Sequence, residues 1–233
     1  MLFTDIHTHI LAGVDDGAKD SAQMIALLDA SYKDGARRIC CTPHYHPGYY
    51  GNNRKRSLET FQQLMRYARE KYPDLQLFLG NELHYSQGCL EWIEDGKCRT
   101  LNGTRYILVD FEFDERYEVI ESAVLSFLRR GYVPVLAHIE RYTCLGRRSK
   151  LVKRLHDMGA IIQINASSVL RIHSYPIVKK LLQKHIVDVV ASDTHNLDSR
   201  PPLMTAACRE ISQKYGEEYA NALFVLNPID ILR

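Results

Sequence analysis

What most constrains the fold of this chain is a repeat: a short run rich in β-branched and aromatic residues, then a polar cluster, then a helix-like segment. The apolar runs cover residues 2–6, 38–42, 75–79, 106–111, 133–137, 161–164 and 187–191, each with the length and composition of a buried strand. Between the first two, residues 21–34 place Met24, Leu27, Leu28 and Tyr32 on one helical stripe, and Gly35 supplies the stop. The same grammar returns after Ser57, over 119–130, after Ser149, after Ser174 and over 201–215, with the three serines read as helix caps. Strands alternating with helices, without a Gly/Ser/Pro-rich linker, predict one α/β domain over residues 1–233 with a mainly parallel sheet. A closed or distorted barrel is the best fit, and an open doubly wound sheet is the alternative.

Several runs end in polar residues: Asp5-Ile6-His7-Thr8-His9, Thr42-Pro43-His44, Gly80-Asn81-Glu82-Leu83-His84, Ala137-His138-Ile139-Glu140-Arg141 and Ser192-Asp193-Thr194-His195. In a parallel barrel these ends converge on one mouth, where catalytic groups gather. His7 and His9 stand two apart, so on a strand both rings leave the same face and can hold one metal. A solvent-facing alternating strand would give the same spacing, so the argument rests on repetition. Of the 10 histidines, His7, His9, His44, His138 and His195 all follow apolar runs, accompanied by Asp16, Glu82, Asp110 and Asp193. Imidazole and carboxylate without cysteine suit catalytic Mn, Fe or Zn better than a closed structural zinc, and this many side chains would occupy more than one ion. Clustered metals suit the hydrolysis of phosphate esters.

Competing chemistries find no support. There is no GxSxG elbow, Walker loop or GxGxxG loop, and none of the six cysteines (40, 41, 89, 98, 144 and 208) is followed six residues on by the arginine of a phosphate-cradling Cys-x5-Arg loop. No CxxC pair occurs, so reduced thiols are expected, with Cys40 and Cys41 inside a strand. A net charge of +2, from 30 basic and 28 acidic residues, calls for no nucleic acid. The N-terminus lacks a basic start with a long apolar run, and no stretch approaches a membrane helix, so a cytoplasmic protein without membrane insertion is expected. Arg141 and Arg200 directly follow metal-type motifs and are read as phosphate clamps, because a guanidinium can hold two phosphate oxygens at once. Residues 44–54, rich in aromatics and turn formers, read either as a substrate lip or as a flexible connection. His46, His156, His173 and His185 lack such company and read as surface or helix histidines.

Taken together with Val14-Asp15-Asp16-Gly17, Ser192-Asp193-Thr194-His195-Asn196 and Arg200-Pro201-Pro202, this ordered set resembles the polymerase and histidinol phosphatase (PHP) superfamily. Within it, the chain looks most like the manganese-dependent protein tyrosine phosphatases of capsule and exopolysaccharide operons, the CpsB/YwqE type. The resemblance implies a distorted (β/α)7 barrel of the PHP/TIM-like kind, holding up to three Mn2+ ions, with Fe, Zn or Co possible. His7, His9, Glu82 and Asp193 would hold the first; Glu82 would bridge to a second that also uses His138; Asp16, His44 and His195 would hold the third. The second ion's remaining ligand, a glutamate in the family, falls on Asp110, with Glu112 as the alternative. Arg141 and Arg200 match phosphate-contacting positions. The implied substrate is phosphotyrosine in the Tyr-rich tail of a bacterial tyrosine autokinase, hydrolysed in line without a phosphoenzyme. A small-molecule phosphatase, such as one for histidinol phosphate, and another phosphoesterase of the superfamily are the alternatives, as is a metal-binding regulatory module without turnover.

Overall fold

The computed structural model describes residues 1–50 and 54–233. Among the described residues, nine strands run in chain order: β1 (Phe3–Thr8), β2 (Ala36–Cys41), β3 (His44–Tyr45), β4 (Gln76–Leu79), β5 (Glu82–His84), β6 (Tyr106–Asp110), β7 (Val133–Leu136), β8 (Ile161–Asn165) and β9 (Val189–Ala191). Every pairing between them is parallel, which the helices between them make possible. Each expected run carries a strand. The two short strands β3 and β5 are additional, and both continue an expected strand past a kink. Pro43 cannot donate to a ladder, and a side chain at Gly80 would meet Leu101 at 3.0 Å. At these two points the chain leaves the β1-β2-β4 ladder and enters the β3-β5-β6-β7-β8-β9 ladder.

The parallel sheet therefore curls. Just beyond β9, Thr194 bridges to Thr8 of β1, the His9 N–H donates to the Thr194 carbonyl and the Asp193 N–H to the His7 carbonyl, both at 2.9 Å. The C-terminal ends of the first and last strands thus lie side by side. Beneath them Ile6, Cys40, Leu108, Val135, Ala137, Val189 and Ala191 form one buried apolar cluster, in which each Ile, Leu or Val side chain contributes about 1.5–3 kcal/mol by leaving water. This packed floor is what lets polar side chains gather above it at fixed positions.

The helices cover the outside: α1 (Ser21–Lys33), α2 (Arg54–Lys71), α3 (Cys89–Glu94), α4 (Tyr117–Arg129), α5 (Ser149–Asp157), α6 (Ala166–Leu170), α7 (Pro176–Gln183), α8 (Met204–Tyr215), α9 (Glu217–Asn221) and α10 (Asn227–Ile231). Three expected caps are corrected. Ser57 lies inside α2 and donates its hydroxyl to the Arg54 carbonyl, Ser149 is the first residue of α5, and α7 begins at Pro176, whose fixed φ suits a first turn, two residues after Ser174. The segment from Glu217 on, in which a π-helical turn (Ala222–Leu226) joins α9 to α10, was not expected; it buries Leu223, Phe224, Ile231 and Leu232, and Phe224 packs on Phe3 with ring centroids 5.6 Å apart. Among the described residues, no helix is long and apolar enough to cross a membrane.

Candidate metal centre

His7 and His9, both fully buried, leave β1 on the same face, with their Nε2 atoms 3.1 Å apart. Glu82, the first residue of β5, points between them: its Oε1 is 3.3 Å from His7 and its Oε2 3.2 Å from His9. From beyond β9, Asp193 Oδ1 approaches the same two nitrogens at 3.4 and 3.7 Å. His138, after β7, places Nε2 3.0 Å from Glu82 Oε1, and His44 of β3 places Nδ1 3.0 Å from Glu82 Oε2. On the far side of His44, Asp16 Oδ1 is 3.3 Å from both the His44 and the His195 Nε2. Eight side chains distant in sequence thus meet above the apolar floor.

The donor set fits divalent cations. Ligands about 2.0–2.2 Å from one ion stand roughly 3 Å from each other, which matches the separations seen. Three imidazoles have their outer nitrogen beside an oxygen acceptor: His7 Nδ1 at Gln163 Oε1 (3.1 Å), His9 Nδ1 at Asp15 Oδ2 (2.7 Å) and His195 Nδ1 at the Asp193 carbonyl (3.0 Å). An outer N–H donated there leaves the Nε2 lone pair facing the cluster, as metal-ligating histidines require. Among the described residues, Glu82 Oε2, Asp193 Oδ1, Asp110 Oδ1 and His195 Nε2 are buried without an aligned hydrogen bond; all but Asp110 Oδ1 have only the ion-pair approaches given above, an arrangement that a cation between them would satisfy.

The charges confirm how strongly these groups are coupled. Burial opposes ionisation of Glu82, yet His7 and His44 hold its carboxyl well below the usual range. Asp193 is also held low, against burial, by His7, Arg200 and other cations. Burial alone would lower His7, but Glu82 and Asp193 raise it to about 9; burial and the neighbouring His9 push His195 down to about 4.

Three groupings emerge: His7, His9 and Glu82; His9, Asp16, His44 and His195; and His44, Glu82 and Asp110. The expected first and third sets are brought together, with His9 also reaching the third. The expected second set is less simple, since Glu82 touches His138 while Asp110 groups with Glu82 and His44. Asp110 lies only 13% exposed against 66% for Glu112, and both contact the ring of His84, Asp110 at Nδ1 (3.2 Å) and Glu112 at Nε2 (3.4 Å). Of the two carboxylates, Asp110 is therefore the one aimed into the cluster.

Sequence reasoning missed the layer behind these residues. Gln163 of β8 accepts from the His138 N–H (2.9 Å) besides meeting His7, and its amide donates to Asn165 Oδ1, while Asn165 Nδ2 donates to Asp193 Oδ2 at 2.7 Å. The signal was two polar residues at alternate positions of an otherwise apolar strand. His84 was also missed, and His46, expected at the surface, stacks on it with ring centroids 4.0 Å apart. His156 pairs with Asp188 away from the site. Of the 44–54 loop, residues 51–53 lie outside the described residues; Tyr50 stacks on His44. All six cysteines are free, and burial pushes the thiol of Cys41 up to about 12, the opposite of what a nucleophile needs.

Two backbone positions carry strain at the site. His138 and Asp193 have φ of 32° and 53°, a left-handed conformation that costs non-glycine residues about 1–3 kcal/mol and clusters at functional sites. Gly17 is constrained differently: a Cβ there would lie 1.9 Å from the His9 carbonyl oxygen. G17A is therefore expected to displace His9 and to destabilise the fold by about 1–3 kcal/mol, read as a lower melting temperature together with weakened metal binding. Gln163→Leu keeps the volume but removes the acceptor that orients His7, so metal affinity should fall about 10- to 100-fold in a calorimetric titration. An unchanged affinity would remove Gln163 from any role in ordering the ligands.

Arg200 Nη2 and Arg141 Nη1 both reach Asp193 Oδ2, at 2.7 and 3.3 Å. Two half-buried guanidinia thus flank the histidine and carboxylate cluster on one side, as a tetrahedral oxyanion would require.

Residues 3–233 match the family model described as "Capsular polysaccharide synthesis, CpsB/CapC". The chain is 40% identical to the tyrosine-protein phosphatase CpsB of Streptococcus pneumoniae, over 98% of this chain and 97% of that protein. It is 32% identical to the tyrosine-protein phosphatase YwqE of Bacillus subtilis, over 92% and 85%. A solved structure from work on YwqE of B. subtilis and CpsB of S. pneumoniae, described as unique metal-dependent tyrosine phosphatases, superposes with a TM-score of 0.90 at 30% identity, covering 99% of this chain and 94% of that one. The phosphotriesterase homology protein of Escherichia coli shares the fold alone, with a TM-score of 0.58 at 13% identity. With its matched length, its curled parallel sheet and its histidine and carboxylate cluster, the chain belongs to the CpsB/CapC family of capsular polysaccharide synthesis.

Proposed function

We infer that this chain is a metal-dependent protein tyrosine phosphatase, formed as one (β/α)7 barrel domain over residues 1–233, that dephosphorylates the Tyr-rich tail of a bacterial tyrosine autokinase in the cytoplasm and so regulates capsular or exopolysaccharide synthesis. The observation that carries this reading is the convergence of Arg141 and Arg200 on Asp193, at the edge of a cluster built to hold cations. His7, His9, Glu82 and Asp193 would hold one ion, Glu82 with His138 and Asp110 a second, and Asp16, His44 and His195 a third. Mn2+ is the proposed metal, and the same donors accept Fe, Zn or Co. Bound there, divalent ions supply Lewis-acid stabilisation of phosphoryl charge and an activated water.

The chain's own residues do the rest. Arg141 and Arg200 bind the phosphate oxygens and fix its orientation, and Asp193, held by Asn165, keeps both guanidinia aimed at one place. Gln163 and Asp15 hold the rings of His7 and His9 in the tautomer that faces the cluster. Ser192, beside Asp193, turns its hydroxyl to the backbone, donating to the His7 carbonyl at 3.5 Å and accepting the Thr194 N–H at 3.2 Å, which suits direct hydrolysis over a serine nucleophile.

The test is phosphate release by the Mn-loaded protein from a phosphotyrosyl peptide and from histidinol phosphate, each repeated after chelation. Chelator-sensitive turnover of the peptide is expected. Turnover of histidinol phosphate alone would move the same site to a small-molecule substrate.

A further inference from the structure

A cleft of about 670 Å³ opens beside the metal centre, between the turn that carries Arg141 and the start of α7. Its lining includes Arg141 and Arg200, the two groups assigned to the phosphate, both held at Asp193. The lining also carries aromatic residues: Phe113, a large apolar residue left 54% exposed, and Tyr175, followed by Pro176.

Phe113 is not a stray surface residue. Its carbonyl accepts the Thr143 N–H at 2.8 Å, which ties it to the loop that follows Arg141. Its ring meets His138 edge-on at 6.3 Å between centroids and lies 5.9 Å below the Arg141 guanidinium. An ester whose phosphate is held by Arg141 thus has this ring within reach of its leaving group. The lining also includes Arg147, exposed and with no carboxylate at ion-pair distance among the described residues. The one acid in the lining, Glu140, is buried and has its Oε1 occupied by the Asn165 N–H at 2.9 Å. The cleft thus combines an aromatic ring beside the phosphate-binding Arg141 with an exposed unpaired cation, Arg147, and has a volume in the range of ligand pockets.

We propose that this cleft seats the peptide bearing the phosphotyrosine, with Phe113 against the phenyl ring and Arg147 against an acidic side chain next to it in the substrate. The assignment rests on the phosphotyrosine reading above. It makes Phe113 and Arg147 specificity-determining positions, one for an aromatic ester and the other for its neighbour. An aromatic face stabilises a second ring beyond simple burial, and a lone arginine at the rim selects by charge more than it adds affinity.

The experiment compares kcat and KM of the metal-loaded protein on two phosphotyrosyl peptides that differ only in carrying Asp or Lys beside the phosphotyrosine. The wild type should favour the Asp peptide, and R147E should reverse that preference, shifting the Asp-to-Lys ratio of kcat/KM about tenfold. F113A should raise KM for both peptides about fivefold, with F113Y restoring it. Melting curves verify that each variant is folded. A ratio unchanged in folded R147E, or a KM unchanged in F113A, overturns the assignment while leaving the phosphatase reading intact. Failure of the wild type to hydrolyse either peptide overturns the phosphotyrosine reading and the cleft's occupant with it, and is seen before any variant is made.

Discussion

D193N is expected to lower kcat/KM on a phosphotyrosyl peptide by about a thousandfold, the scale of losing a group that stabilises charge in a water-poor site. The substitution is nearly isosteric, yet it removes the charge that faces His7 and His9 through Oδ1 and holds Arg200, Arg141 and Asn165 through Oδ2. Two effects therefore coincide: metal content should fall, as elemental analysis would record, and the two guanidinia should lose their common anchor. H138A removes only an imidazole at Glu82, so its loss of activity should come with reduced metal content but with phosphate binding retained. D198N, an exposed change in the same loop, serves as the control and should behave as wild type. If folded D193N, with its circular dichroism unchanged, kept activity within tenfold of wild type, Asp193 would be neither a metal ligand nor the anchor of the arginines.

That such a residue could be picked out from sequence has a physical reason. A parallel β/α fold sends every strand's C-terminal end to the same side, so polar residues that terminate apolar runs are neighbours whatever their distance along the chain. His7, His9, His138, Asp193 and His195 needed nothing more than this rule. Asp16 and Asp110 were legible as company for these histidines, but their assignment to particular ions leaned on resemblance, because one sits in a loop and the other sits beside Glu112 with similar chemistry; burial and the grouping of Asp110 with His44 and Glu82 separate the two carboxylates. The supporting layer was least legible. Gln163 and Asn165 lie inside a strand whose apolar neighbours dominate the pattern, and their partners come from three other strand ends, a coincidence that register alone determines. The broken strands β3 and β5 were hidden for a similar reason: Pro43 and Gly80 read as strand terminators, whereas in the folded chain they hand the strand from one ladder to the next.

Removing the metal should change stability in a way that depends on pH, and the direction follows from the histidines. In the metal-free protein burial disfavours the His7 imidazolium, but Glu82 and Asp193 override it and raise the group to about 9; His9 and His44 are raised as well. A histidine whose folded value lies above its unfolded value of about 6.5 stabilises the fold fully below that pH and loses this contribution as pH climbs through the folded value. Glu82 and Asp193 are held low, so they stay ionised across this window and add no slope, and His195, pushed down to about 4, acts only below it. Metal-free protein should therefore melt at progressively lower temperature from pH 6.5 to 8.5. An ion needs the same imidazoles neutral, so its competition with protons eases over that range. At a hundred times its dissociation constant a bound ion adds about 2.7 kcal/mol, or roughly 5–10 °C in melting temperature for a domain of this length. The gap between Mn-saturated and chelator-treated protein should accordingly widen with pH in a thermal-shift series. A gap that is constant or narrows would mean that protons and metal do not share these nitrogens, and that the cluster is held together by ion pairs alone.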